Sequence, residues 1–115
     1  MNYSIKIAVA TTGSEKLKDT VSSEFGGSKT FTIIEVEDGK IKSVNVIENP
    51  ASSLIHGKGP VAAKHLANLG VNIVISGEVG PGASTMLEEL KIKKLLVKPG
   101  EKVIDAIKEL GIIKD

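Results

Sequence analysis

No cysteine occurs among the 115 residues. Disulfides, thiolate zinc sites and cysteine-held iron–sulfur clusters are therefore excluded, and any metal would need His, Asp or Glu. Tryptophan is also absent and aromatics make up 3%, so a core must be built from Ile, Val, Leu and Ala. Arginine is missing: all 15 basic residues are lysine. Arginine supplies the planar fork that reads phosphate and guanine in bidentate fashion. Its absence, with a net charge of +1 and scattered lysines, argues against a nucleic-acid binder. Glutamine is absent too while Lys and Glu are abundant, a pattern met in heat-adapted proteins. No apolar run approaches the ~20 residues of a membrane helix, so no membrane partner is expected. Residues 1–4 lead straight into a strand pattern, so no signal peptide is expected and a cytoplasmic location is the default.

What is present fits a soluble globular protein. The 41% hydrophobic and 25% charged fractions are ordinary, and the length fits one domain over 1–115. Residues 5–11, 30–37 and 41–48 read as strands. Between the last two stands Asp38-Gly39, the strongest short hairpin signal in the chain. Residues 58–69 read as a helix, with Ala62, Leu66 and Leu69 on one stripe and Gly70 at the cap position. Residues 71–76 and 93–98 are short β-rich runs separated by a helix over 81–90, and a last helix is expected over 101–110.

A meander followed by β-α units predicts a three-layer α/β/α fold. Its sheet is five-stranded and mixed, with order 3-2-1-4-5 and the second strand antiparallel to the rest. The C-terminal ends of strands one, three, four and five then share an edge, where ligands of open sheets bind. Thr11, Thr12 and Gly13, the 49–60 segment and the 77–82 loop are expected to meet there. Residues 13–29 show no period and are long for a plain connection, as mobile or functional loops are.

The 77–83 loop, Gly-Glu-Val-Gly-Pro-Gly-Ala, follows a strand and opens a helix. Glycines let backbone N–H groups approach a ligand, and a helix start presents free donors and partial positive charge. A tight connection with Pro81 at the first helical position would look the same. The 49–60 loop carries His56 between glycines, where it is either a metal or anion ligand or a plain surface histidine. His65 lies nine positions on, outside helical metal-pair spacing, and reads as structural or solvent-facing. Glu78 and Glu24 are either ligands or solvated charges. There is no Gly-x-Ser-x-Gly elbow, no Walker Gly-Lys-Ser/Thr and no Gly-x-Gly-x-x-Gly.

The 3-2-1-4-5 order is also that of ribonuclease H-like folds, which raises two-metal phosphoryl transfer as an alternative. That chemistry needs an acid in the middle of the first strand, and Ile-Lys-Ile-Ala-Val-Ala-Thr has none. Fold alone does not license an activity.

Five pieces together resemble the dinitrogenase iron–molybdenum cofactor biosynthesis family, the NifX-like group. They are Lys6-Ile7-Ala8-Val9-Ala10, Phe25-Gly26, Ile47-Glu48-Asn49-Pro50, His56-Gly57-x-Gly59-Pro60 and Gly77-x-x-Gly80-Pro81-Gly82-Ala83. The resemblance spans nearly the whole chain in the family's order. It implies a ribonuclease H-like domain without catalytic acids. It implies a non-catalytic carrier or binding module for an iron–molybdenum or iron–sulfur cluster, or a related anion, with cofactor-assembly proteins as partners. A small-molecule or anion-binding regulatory protein unrelated to nitrogenase is the alternative. The shared edge of the strand ends and the resemblance together give an expected ligand-binding set of Thr11, Thr12, Gly13, Glu24, Phe25, Gly26, Gly57, Gly59, Pro60, Gly77, Glu78, Gly80, Pro81 and Gly82, with His56 as metal ligand. Many members carry His-Phe-Gly where this chain has Glu24-Phe25-Gly26. A glutamate there favours harder ions or an anion held by backbone donors.

Overall fold

Asp38 and Gly39 both adopt positive φ, 52° and 79°, as a type I′ hairpin turn requires. This turn folds β2 (Thr30–Glu37) back on β3 (Lys40–Glu48), antiparallel from Glu37↔Lys40 to Thr30↔Glu48, with a bulge at Lys42 that shifts the register between Val36↔Ile41 and Glu35↔Ser43. The computed structural model describes residues 3–114. β1 (Ser4–Thr11) pairs antiparallel with β2 on one side and parallel with β4 (Ile73–Ser76) on the other, and β5 (Lys93–Leu96) completes the sheet beside β4. The order is β3-β2-β1-β4-β5, as the hairpin and the two crossovers demand.

Alternation along each strand divides the interior into two layers. Ala8, Ala10, Phe31, Ile33 and Val74 face α1 (Lys58–Asn68) and α2 (Pro81–Glu89), which contribute Ala62, Ala63, Leu66, Ala83 and Leu87. Ile7, Val9, Ile34, Val36 and Ile75 face α3 (Val103–Glu109), which contributes Val103, Ala106 and Ile107. The small residues Ala8, Ala10, Ala62 and Ala63 let α1 sit close to the sheet. Each fully buried Ile, Val or Leu adds about 1.5–3 kcal/mol.

Details differ from the sequence reading, among them that β5 ends at Leu96 and not at residue 98. On α1 the buried stripe is Ala62, Ala63 and Leu66, while Leu69 is exposed. β4 begins at Ile73, since Asn72 turns its side-chain carbonyl to the Lys6 N–H. α3 begins at Val103 because residues 100–102 instead join the segment after β1: Val21 N–H donates to Glu101 O at 2.8 Å, and Thr20 bridges Lys102. Finally, the 13–29 segment is packed in place. It holds a short 3₁₀ turn, Lys16–Lys18, and buries Val21, Ser22, Phe25 and Ser28. Val21 joins the α3 layer and Phe25 the α1–α2 layer. The segment crosses the end of the sheet between them, which is why its hydrophobic residues follow no single period.

Glu101, which pairs with this segment through its backbone, carries an unpartnered buried carboxylate oxygen: its Oε1 is sealed from solvent and, among the described residues, has no hydrogen-bond partner. Burial pushes its carboxyl above the ordinary value, the neighbouring Glu109 carboxyl raises it further, and Asp105 adds repulsion that Lys98 partly offsets. A raised acid favours folding below its unfolded pKa and loses that contribution as pH rises through the folded value. Glu101→Gln is therefore expected to raise the thermal midpoint at neutral pH and to narrow the difference from wild type in acid. Midpoints measured against pH check this, and a neutral-pH loss of stability in the variant contradicts it.

Candidate functional site

α1 and α2 start side by side at the C-terminal end of the sheet. Gly57, in the left-handed region at φ 74°, precedes α1, and Gly80 precedes α2 with Pro81 at the first position. Neither start has a side-chain cap. Helix geometry leaves the first N–H groups without intrahelical partners, here those of Lys58, Gly59, Gly82 and Ala83; the two prolines, Pro60 and Pro81, carry none. The helices approach closely because of glycine. A Cβ on Gly59 would meet the Ala83 Cβ at 2.6 Å.

The third wall comes from residues 24–27. Phe25 is buried against Phe31, ring centroids 5.4 Å apart. The Phe25 N–H donates to Glu78 O at 3.1 Å, and Glu24 and Glu78 form a parallel bridge. Ser76 Oγ also donates to Glu78 O, at 3.1 Å. Asn49, nearly fully buried, closes the loop from below: its Nδ2 donates to Gly26 O and Ser28 O, both at 2.9 Å, and its Oδ1 accepts from the Ala51 N–H.

The result is a cleft of about 370 Å³ lined by residues 24–27 and 57–60 with Glu78, Gly80, Gly82 and Ala83, within the usual range of small-ligand sites. Of the residues expected from sequence, Glu24, Phe25, Gly26, Gly57, Gly59, Pro60, Glu78, Gly80 and Gly82 line it together. Gly27, Lys58 and Ala83 also line it; none was named as a ligand residue from sequence, although Lys58 lies inside the 49–60 segment expected at this edge. Pro81 opens α2 at the cleft without being part of the lining. Gly77 packs beneath, where a Cβ would meet Pro99 at 2.7 Å. His56 is exposed and lies one residue outside the lining.

Thr11, Thr12 and Gly13 are not part of this cleft. The buried Thr11 hydroxyl bonds those of Thr30 and Thr32 at 2.7 and 3.0 Å, and Thr12 Oγ1 donates to Asp19 at 3.0 Å. Gly13 borders a second, larger opening of about 570 Å³ with Ser14, Lys29, Thr30, Glu48 and Ser52. No helix start contributes to that opening, and the threonine hydroxyls near it are already paired. The smaller cleft is therefore the candidate. Among the described residues no group of three or more His, Cys, Asp or Glu is placed to hold a metal ion. Nor is any helix among them long and apolar enough to cross a membrane.

Fold and cleft together define a small mixed-sheet α/β protein whose glycine-walled cleft is opened by two helix N-termini. The chain belongs to the dinitrogenase iron–molybdenum cofactor family, whose model matches residues 4–111. An uncharacterized protein of Methanocaldococcus jannaschii is 40% identical over 72 residues; the match covers 63% of this chain and 61% of that relative. The chain thus aligns with less than two-thirds of that curated relative's length. The apo form of the orange protein from Desulfovibrio gigas is similar at 29% identity, over 91% of this chain and 85% of that one, with a TM-score of 0.82. A Thermotoga protein described as a candidate NifB protein is also similar at 29% identity, over 92% and 86%, with a TM-score of 0.75.

Proposed function

We infer that this protein is a non-catalytic binding or carrier module that takes an anionic ligand in the cleft between the starts of α1 and α2. The observation that carries the reading is the convergence of two uncapped helix N-termini on one glycine-walled space. Each contributes free N–H donors and about half a positive charge, the usual means of holding an anion without a charged side chain. Lys58 adds a full charge at the same place. Family membership favours cargo of the iron–molybdenum or iron–sulfur precursor class, handed between cofactor-assembly proteins. The cargo is a substrate of the carrier and not a resident cofactor. The chain binds it through its periphery, shields it on three sides and releases it through the open fourth.

A carrier without turnover is also what β1 favours. Its sequence, Ser-Ile-Lys-Ile-Ala-Val-Ala-Thr, has no carboxylate at the centre of the sheet to hold a catalytic metal pair. Native mass spectrometry of protein purified without oxygen, with elemental analysis of the same sample, tests the reading. A small anionic species bound in stoichiometric amount, with amide shifts at Gly59, Gly80, Gly82 and Ala83 on its addition, is the expected result. Shifts grouped instead around residues 38–40 or 69–72 overturn it, as does robust metal-dependent hydrolysis of phosphoesters.

A further inference from the structure

β1 and β4 pair as far as Val9↔Ile75 and then part. Their connections leave in opposite directions, from β1 toward β2 and from β4 toward β5, and such a gap is the usual ligand crevice of an open sheet. Here the chain fills the gap with its own backbone. The Ser22 N–H donates to Ala10 O at 2.7 Å, and Ser22 O accepts from the Gly77 N–H at 3.0 Å. The fit is close, since a Cβ on Gly77 would meet Ser22 O at 2.9 Å. Residues 20–24 form a strap pinned at both ends. Before it, the buried Asp19 carboxylate accepts from the Thr12 hydroxyl and from the N–H groups of Glu15 and Thr20. After it comes the buried ring of Phe25.

Between these pins, residues 100–102 hold the strap from outside. Val21 N–H donates to Glu101 O at 2.8 Å, Val21 O accepts from Gly100 N–H at 2.9 Å, and Thr20 bridges Lys102. The side chain of this same Glu101 carries the sealed Oε1; among the described residues no other buried side-chain oxygen or nitrogen lacks a partner. Such an oxygen is tolerated on a neutral carboxyl and costly on a carboxylate. Burial holds the Glu101 carboxyl above its usual range, and Glu109 and Asp105 on α3 push the same way against the pull of Lys98. The other charges on the segments packed here, Glu15, Lys16, Lys18 and Lys102, are exposed, and the Asp19 carboxylate is taken up by its own partners. We propose that the strap is a proton-operated latch on the β1–β4 gap: neutral Glu101 holds it shut, and ionised Glu101 turns out to water and releases it. Opening frees Ala10 O and the Gly77 N–H, and it slackens Glu24, the strap residue that lines the cleft. The latch is a property of the strap itself and stands whatever the cleft binds. A proton held more tightly in the closed state favours closure below the open-state pKa, and that preference is lost as pH rises through the closed-state value.

Amide exchange on the whole protein tests this, followed residue by residue from about pH 5 to about pH 8, where native proteins are usually most stable. Each rate is divided by the unstructured rate at the same pH to give a protection. Low urea separates two routes: exchange through a local opening is insensitive to it, and exchange through global unfolding accelerates. At Val21, Ser22, Gly77 and Gly100 the exchange is expected to be urea-insensitive. Protection there is expected to fall about tenfold as pH rises, within the usual range of coupling between two sites. In Glu101→Gln, whose side chain stays neutral, protection at these amides is expected to keep its acid value throughout. Strap amides that exchange only together with those of Ile7 to Val9, by the urea-sensitive route, overturn the latch and leave Glu101 a plain determinant of stability. Strap protection that stays flat with pH in the wild type overturns it as well. These two outcomes are read from the wild type alone, whether or not the variant folds. A pH dependence that survives in Glu101→Gln overturns the assignment to Glu101.

Discussion

Phe25→Ala is expected to lower the stability of the fold by about 3–5 kcal/mol, the usual cost of deleting a buried aromatic ring. Phe25 is 1% exposed, tilts against Phe31 at 52°, and is one of the largest side chains in the α1–α2 layer. Such a loss is a large share of the 5–15 kcal/mol that holds a typical domain together. Urea unfolding checks it directly: with a slope of about 1–3 kcal/mol/M for a small protein, the midpoint falls by more than 1 M. The change also removes the anchor of the third wall. Phe25 carries the N–H that ties residues 24–27 to Glu78, so in the surviving folded fraction amide exchange is expected to quicken at Phe25 and Ser28. A loss below ~1 kcal/mol, the mean for substitutions in general, would show that the ring's site collapses without consequence and that the wall is held by Asn49 alone.

Gly80→Val is expected to abolish ligand binding while leaving the fold intact. A Cβ at Gly80 meets nothing within 4 Å. Gly80 is extended, at φ −63° and ψ 164°, a conformation that valine adopts freely. The new side chain therefore costs the folded state little and projects into the space in front of the α2 start. Gly59 makes the contrast. There an added Cβ would strike the Ala83 Cβ at 2.6 Å, so Gly59→Val would lose binding together with stability. The informative comparison is a melting curve and an anion titration on each variant. Gly80→Val with a wild-type midpoint and no shifts at Gly82 and Ala83 is the expected outcome. Wild-type affinity in Gly80→Val means the ligand does not sit against the α2 start.

Much of the fold could be read from local residue patterns. Asp38-Gly39 marks its turn because two consecutive residues with positive φ are tolerated by few other pairs. The strand order follows from that turn and from the right-handed crossovers through α1 and α2. Two cleft walls were legible for a similar reason: the Gly-rich starts of α1 and α2 are consecutive stretches, and both follow strands whose ends share an edge. The third wall was not legible from period or spacing. Glu24 stood out as a charged loop residue and Phe25-Gly26 through family resemblance, but nothing near them in sequence dictates where they go.

By itself, then, the chain determined what depends on neighbours within a few positions: the hairpin, the helices and their uncapped starts. The absence of cysteine and arginine likewise determined which chemistries are closed to it. Only the tertiary structure decided which loops meet. Asn49 reaches back more than 20 positions to Gly26 and Ser28, and Phe25 pairs with Glu78 across more than 50. Those contacts close the cleft with Glu24 to Gly27, while the threonines after β1 are drawn into hydroxyl pairs of their own. The physical reason is that a wall made of single long-range hydrogen bonds and one buried ring leaves no periodic trace, since periodicity records only contacts that repeat along an element.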